Sequence, residues 1–142
     1  MTALVAEVAG SAARGLVAAM AMSGVREFTR GLGLLAKPPP DEIADEGAPA
    51  LFARVPGEYR DAAIEVAHWG YGAAMGAVYG TAPRHLRRRT WFGVAYGLAL
   101  WLAYDAGISR ALGIRGPAPS AGQRLSLAGD HVLYGLVLAS ED

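Results

Sequence analysis

The chain of 142 residues has the length of a single domain, and its 13 basic and 13 acidic residues give a formal net charge of zero. That balance offers no bulk attraction for nucleic acid. The absence of cysteine excludes disulfides, thiolate metal sites and cysteine nucleophiles. Hydrophobic residues make up 53% of the chain, which is high for a water-soluble domain of this size.

Four apolar segments follow one another along the chain, at about residues 12–35, 62–83, 90–114 and 122–140. The third is the clearest, because residues 90–104 carry no charge and include five aromatic side chains. A helix needs about 20 mostly apolar residues to cross a bilayer, so the first and fourth segments can cross only with ionisable residues inside. The pattern predicts four membrane-spanning helices, with a soluble helical bundle as the competing interpretation.

Small residues recur at four-residue spacing within these segments. Gly72, Gly76 and Gly80 fall on one face of the second helix, and Gly93 and Gly97 do so on the third. Gly15, Ala19 and Ser23 form a similar stripe on the first helix. Such stripes allow close backbone approach, the main source of helix association in lipid, so we expect the five glycines of the second and third helices to lie at helix contacts.

The loops predict how the segments are oriented. Residues 81–90 carry four arginines, whereas the proline-containing loop 36–61 is acidic on balance. Short loops rich in Lys and Arg stay on the cytoplasmic side of a membrane. We therefore expect both termini in the cytoplasm and loop 36–61 outside, where its prolines prevent it from being helical throughout.

The sequence also contains an internal repeat. The peptide TRGLGL at residues 29–34 returns as SRALGI at 109–114, and each copy precedes a His-x-x-Tyr-Gly motif, at 68–72 and at 131–135. The repeat predicts one membrane domain, residues 1–142, made of two tandem helical hairpins at about 12–83 and 90–140. The expected fold class is therefore all-α, a four-helix integral membrane bundle.

Ionisable residues gather at one level of the predicted bundle, in its outer half, with some of them at the starts of the second and fourth helices. This charged band consists of Arg26, Glu27, Arg30, Glu65, His68, Asp105, Arg110, Asp130 and His131. Within it we expect Glu27 to pair with Arg30, and Arg26 or Arg30 to reach Asp105 or Glu65 across the bundle. The band admits two interpretations: a polar cavity, ion path or cofactor site, or a set of structural salt bridges.

The repeat places His68 and His131 at matching points of the second and fourth helices. Two facing imidazoles could ligate a haem b iron or another metal ion. The alternative is that both are capping or interfacial groups, which need no metal or cofactor. No catalytic motif is present: the sequence lacks GxSxG, P-loop, HExxH and Rossmann patterns.

The layout resembles a family of small bacterial inner-membrane proteins typified by YagU. The shared features are the glycine-rich first helix, the proline-bearing loop 36–61, a second helix that opens with His68-Trp69 and a fourth helix that opens with His131-Val132-Leu133-Tyr134. The chain departs from that pattern at Arg26 and Arg30 and at Asp130, where glycine would directly precede the histidine. The resemblance implies a four-helix membrane fold and carries no chemistry with it.

We expect a non-enzymatic accessory, assembly or scaffold subunit of a bacterial inner-membrane complex. Its partners would be the lipid bilayer and either other membrane subunits or further copies of itself. One alternative is a minimal oligomeric transporter or channel that uses the charged band. The other is a haem- or metal-binding membrane protein.

Overall fold

The computed structural model describes residues 2–33, 39–114 and 120–140. Within these ranges the chain is helical and contains no strand, which confirms the all-α prediction. Four long helices form the frame: α1 (Thr2–Gly31), α2 (Gly57–Gly80), α3 (Thr90–Ala103) and α4 (Ala121–Ala139). Short helical turns cover Pro39–Glu42, Ile43–Gly47, Pro49–Phe52 and Arg84–Arg87. After α3 the helix continues as a wide π-helical turn, Tyr104–Ile108, and a last short turn, Ser109–Ala111.

α2 and α4 begin well before His68 and Asp130, and this moves the charged band. α2 begins directly after Pro56, so His68 lies near the middle of that helix. α4 begins after Ser120, whose side chain and that of Gln123 form a reciprocal capping box. Asp130 therefore lies halfway along α4. The expectation that these ionisable residues open their helices was wrong, because the helices begin at Gly57 and Ala121, well before them.

The helices pack as two pairs, α1 with α2 and α3 with α4, and α1 also packs on α4. In the first pair, a Cβ at Gly72 would lie 2.5 Å from the Ala19 Cβ, and one at Gly76 would lie 2.9 Å from the Gly15 Cα. A Cβ at Gly80 would come equally close to a serine of α1. Because no side chain fits at these distances, glycine sets the separation between α1 and α2.

The second pair is built in the same way. A Cβ at Gly93 would lie 2.7 Å from the Ala139 Cβ, and one at Gly97 would lie 3.2 Å from the Gly135 backbone nitrogen. The five glycines expected at helix contacts therefore all lie where one long helix approaches another.

The repeated hexapeptide ends a helix in the same way in both copies. Gly33 and Gly113 each adopt a positive φ of 71°, the left-handed conformation that favours glycine. Their amides donate to the carbonyl oxygens of Arg30 and Arg110, at 2.9 and 3.1 Å. Both copies therefore form a helix C-terminal cap. This shared local structure accounts for the similarity of the two hexapeptides.

The interior of the bundle is small and partly polar. Its buried large apolar side chains are Met22, Ile64, Tyr79, Tyr134 and Leu138, and Arg26, Arg87 and Asp130 are buried with them. A larger number of large apolar side chains is exposed, among them Leu125 at 74% and Phe28 at 69%. By length and composition α1 is long and apolar enough to cross a membrane, and it alone is so among the helices of the described ranges. Only 22% of its apolar window is buried in the bundle.

Candidate ligand-binding cavity

A cavity of about 310 Å³ lies between the four long helices, at the end of the bundle that carries the segment Pro39–Phe52. Its ionisable lining residues are Arg26 from α1, His68 from α2, and Asp130 and His131 from α4. The rest of the lining is largely apolar and aromatic. It comprises Met22, Pro39, Pro40, Ile43, Phe52, Ile64, Ala67, Tyr71, Leu100, Tyr104, Ile108, Leu112 and Leu127.

Several buried polar atoms of the residues that line this cavity lack hydrogen-bond partners among the described residues. They are Arg26 Nε, His68 Nε2 and both carboxyl oxygens of Asp130. Arg26 is 4% exposed and Asp130 is 2% exposed, so bulk water does not satisfy them. Buried polar atoms are normally paired, so unpaired atoms from three helices at one cavity require an explanation.

Arg26 is held in place by a polar network between α1 and α2. The hydroxyl of Ser23 donates to Glu65 at 2.5 Å, and it accepts from Arg26 Nη2 at 2.9 Å and from the Trp69 ring nitrogen at 3.1 Å. Arg26 Nη2 also lies 3.9 Å from Glu65, one of the cross-helix pairs expected from the sequence. The central position of Ser23 was not anticipated, because small-residue spacing assigned it to packing alone.

The remaining members of the charged band lie outside the cavity. Arg30 pairs with Glu27 at 2.9 Å, as expected, and approaches Asp41 at 4.0 Å. Burial raises the pKa of the Asp41 carboxyl above its ordinary value, and Arg30 offsets part of that increase. Asp105 and Arg110 are not among the lining residues, so the expected single band is divided between the cavity and the surface.

The segment Pro39–Phe52 covers one side of the cavity and is joined to the end of α3. The Tyr104 hydroxyl donates to Glu42 at 3.0 Å, and Tyr104 itself lines the cavity within the π-helical turn. Such turns occur often at functional sites. The sequence predicted an external loop at residues 36–61 but gave no sign that it would help enclose a cavity. Residues 36–38 of that loop lie outside the described residues.

Both histidines line the cavity, and His131 Nδ1 lies 2.8 Å from the Leu127 carbonyl oxygen. This hydrogen bond orients the His131 ring and leaves its Nε2 for another contact. Among the described residues there is no group of three or more His, Asp or Glu side chains that could hold a metal ion.

At the opposite end of the bundle, Arg87 differs from its neighbours in the arginine-rich loop. Its side chain is 1% exposed and forms an ion pair with Glu7 of α1. Its Nε donates to the Ala82 carbonyl at 3.0 Å, and its own carbonyl accepts from Tyr79. Arg87 is therefore buried, unlike Arg84, Arg88 and Arg89 of the same loop, because its long side chain reaches back into the bundle.

The chain matches no protein-family model, no curated protein and no solved structure.

Proposed function

We propose that this protein is a multi-pass integral membrane protein of the bacterial inner membrane, acting as a non-enzymatic accessory subunit. All four long helices would cross the bilayer, with both termini in the cytoplasm. The layout shared with YagU-type membrane proteins is consistent with this proposal.

The distribution of polar and apolar side chains supports the membrane placement. An arginine and an aspartate are buried between helices, while large apolar side chains such as Leu125 and Phe28 face outward. Charged side chains are seldom fully buried in a water-soluble bundle, and large exposed apolar patches are unusual there. In lipid the outward apolar surface is favourable, and glycine contacts supply the close packing that holds helices together.

The two ends of the bundle support the orientation. Arg84, Arg88 and Arg89 are exposed at one end, which the positive-inside rule places in the cytoplasm. Acidic side chains such as Asp45 and Glu46 lie at the other end.

The accessory role rests on one observation above all, an outward face of α1 that contains a glycine. Gly24 lies within the helix, and no neighbouring atom comes within 4 Å of the point that a Cβ would occupy there. Val17, Met20 and Phe28 are exposed on the same face. Glycine within a helix costs about 1 kcal/mol relative to alanine. Because the Cβ position of Gly24 meets nothing among the described residues, we assign this glycine to close approach by a helix of another subunit.

The substitution Gly24→Leu tests this role. Protein extracted in mild detergent should migrate on native gels as an assembly larger than one chain, and Gly24→Leu should convert it to the single-chain form. The unfolding midpoint of the single chain should not fall, because the new side chain meets nothing among the described residues and a glycine is removed from the interior of a helix. A single-chain form for the unsubstituted protein, both in native membranes and in nanodiscs, would contradict the accessory role.

A minimal oligomeric transporter or channel is the second candidate, favoured by the unpaired polar atoms at mid-helix. Flux in proteoliposomes that is abolished by Asp130→Asn would support it over the accessory role. The haem or metal interpretation retains His68 and His131 as its candidate ligands. A Soret band or stoichiometric bound metal in purified protein would support it.

A further inference from the structure

The strongest unexplained feature is Asp130. It lies halfway along α4, is one of the residues that line the cavity and is 2% exposed, and neither carboxyl oxygen has a hydrogen-bond partner among the described residues. A buried carboxyl group needs partners in either protonation state. Arg26 Nε and His68 Nε2 are likewise unpaired and come from two other helices that line the same cavity. Together these atoms can donate hydrogen bonds to a bound molecule and accept them from it.

The charges around the cavity favour a neutral occupant. Charges of both signs lie at the cavity: Arg26 and Asp130 line it, and Glu65 lies 3.9 Å from Arg26. An anionic head would meet the carboxyl group of Asp130. A cationic head would meet Arg26, which lines the same space.

The lining favours a flat ring with an apolar substituent. Five aromatic or imidazole rings face the cavity: Phe52, Tyr71, Tyr104, His68 and His131. Aromatic faces pack well on planar groups, and the aliphatic part of the lining suits a hydrocarbon chain. A volume of about 310 Å³ is at the lower end for ligand pockets, which suits one ring and the first carbons of a tail.

We propose that the cavity binds a membrane-soluble quinone or quinol, with its ring oxygens hydrogen-bonded to Arg26, His68 and Asp130. The quinone oxygens would accept from Arg26 and His68, and a quinol hydroxyl would donate to Asp130. The proposed quinone site goes beyond the accessory role. The two proposals share only the membrane placement, because the ligand would reach the cavity from the bilayer.

The test is equilibrium binding of four probes with alkyl tails of similar length to delipidated protein in mild detergent. The probes are decyl-benzoquinone, its quinol, decanoate and decylammonium. We expect saturable 1:1 binding of the quinone and quinol. Asp130→Leu should weaken quinol binding about tenfold, as loss of one buried hydrogen bond predicts. Asp130→Asn should retain most of it, and the matched control His85→Leu, exposed at the other end, should not change it.

The unfolding midpoint of Asp130→Leu is a second readout. It separates a ligand-binding Asp130 from one whose role is purely structural. Without ligand, Asp130→Leu should raise the unfolding midpoint, because it removes an unpaired buried carboxyl group. If this variant fails to fold, Asp130 is structural and the assignment of this residue is overturned. In that case His68→Leu tests the cavity. Weaker quinone binding by this variant would support the cavity as the site, and unchanged binding would contradict it.

The remaining outcomes are also decisive. Tighter binding of decanoate or decylammonium, or no saturable binding of either neutral probe, would overturn the proposal. A protein that fractionates with membranes but binds no quinone would refute this inference alone. A protein found in the soluble fraction would refute the proposed membrane function, while probe binding to the cavity could still be measured.

Discussion

Gly76 of α2 and Gly15 of α1 lie so close that a Cβ at Gly76 would fall 2.9 Å from the Gly15 Cα, and nearer still to a backbone oxygen of α1. Backbone atoms on a packed helix cannot move aside as a flexible side chain can. The contact therefore defines how closely the first two helices approach.

Replacing Gly76 with alanine should push α1 and α2 apart. Overpacking of this kind costs about 1–3 kcal/mol, and Gly76→Leu should cost more. The free energy of unfolding, measured by titrating purified protein in mild detergent with a denaturing detergent, should fall accordingly. Gly70→Ala is the control on the same helix, because nothing lies within 4 Å of its Cβ position. Equal stability of the two variants would mean that glycine does not set this contact.

The two helix caps allow a test of backbone conformation without a packing effect. Gly33 and Gly31 both have open space at the Cβ position, but only Gly33 has a positive φ. Gly33→Ala should lower the free energy of unfolding by about 1 kcal/mol, because a side chain disfavours the left-handed region. Gly31→Ala should leave it unchanged or raise it. Identical effects in thermal unfolding would rule out the left-handed cap as the reason for glycine in the repeat.

Arg87 should be the most sensitive arginine of its loop. Arg87→Ala removes the partner of Glu7 and the donor to the Ala82 carbonyl, and should cost about 2 kcal/mol of unfolding free energy. Arg84→Ala, at an exposed position three residues earlier, should cost less than about 0.5 kcal/mol. The unfolding free energies of the two variants are compared by chemical or thermal unfolding in the same detergent. An effect of Arg84→Ala as large as that of Arg87→Ala would indicate general loop electrostatics instead.

The sequence was sufficient for the helical class and for the residues at helix contacts, because apolar segments and glycine spacing are local signals. The helix starts were also encoded, by Pro56 before α2 and by the Ser120–Gln123 capping pair before α4. Together these two signals predict helix starts that place His68 and Asp130 at mid-helix.

The cavity itself could not be predicted from the sequence. It depends on how the segment Pro39–Phe52 folds back and on the contact between Tyr104 and Glu42, 62 residues apart in the chain. The buried position of Arg87 depends in the same way on Glu7, 80 residues away. Spacing within one helix contains no information about such distant partners.

The proposed membrane topology is tested most directly by thiol labelling of two single-cysteine variants in spheroplasts, made possible by a chain without native cysteine. Ala50→Cys lies exposed in the segment Pro39–Phe52, and His85→Cys lies exposed in the arginine-rich loop. A membrane-impermeant maleimide should label Ala50→Cys in intact spheroplasts and His85→Cys only after lysis. The reverse pattern, or protection of both sites in a protein that is recovered from the soluble fraction without detergent, would contradict that topology.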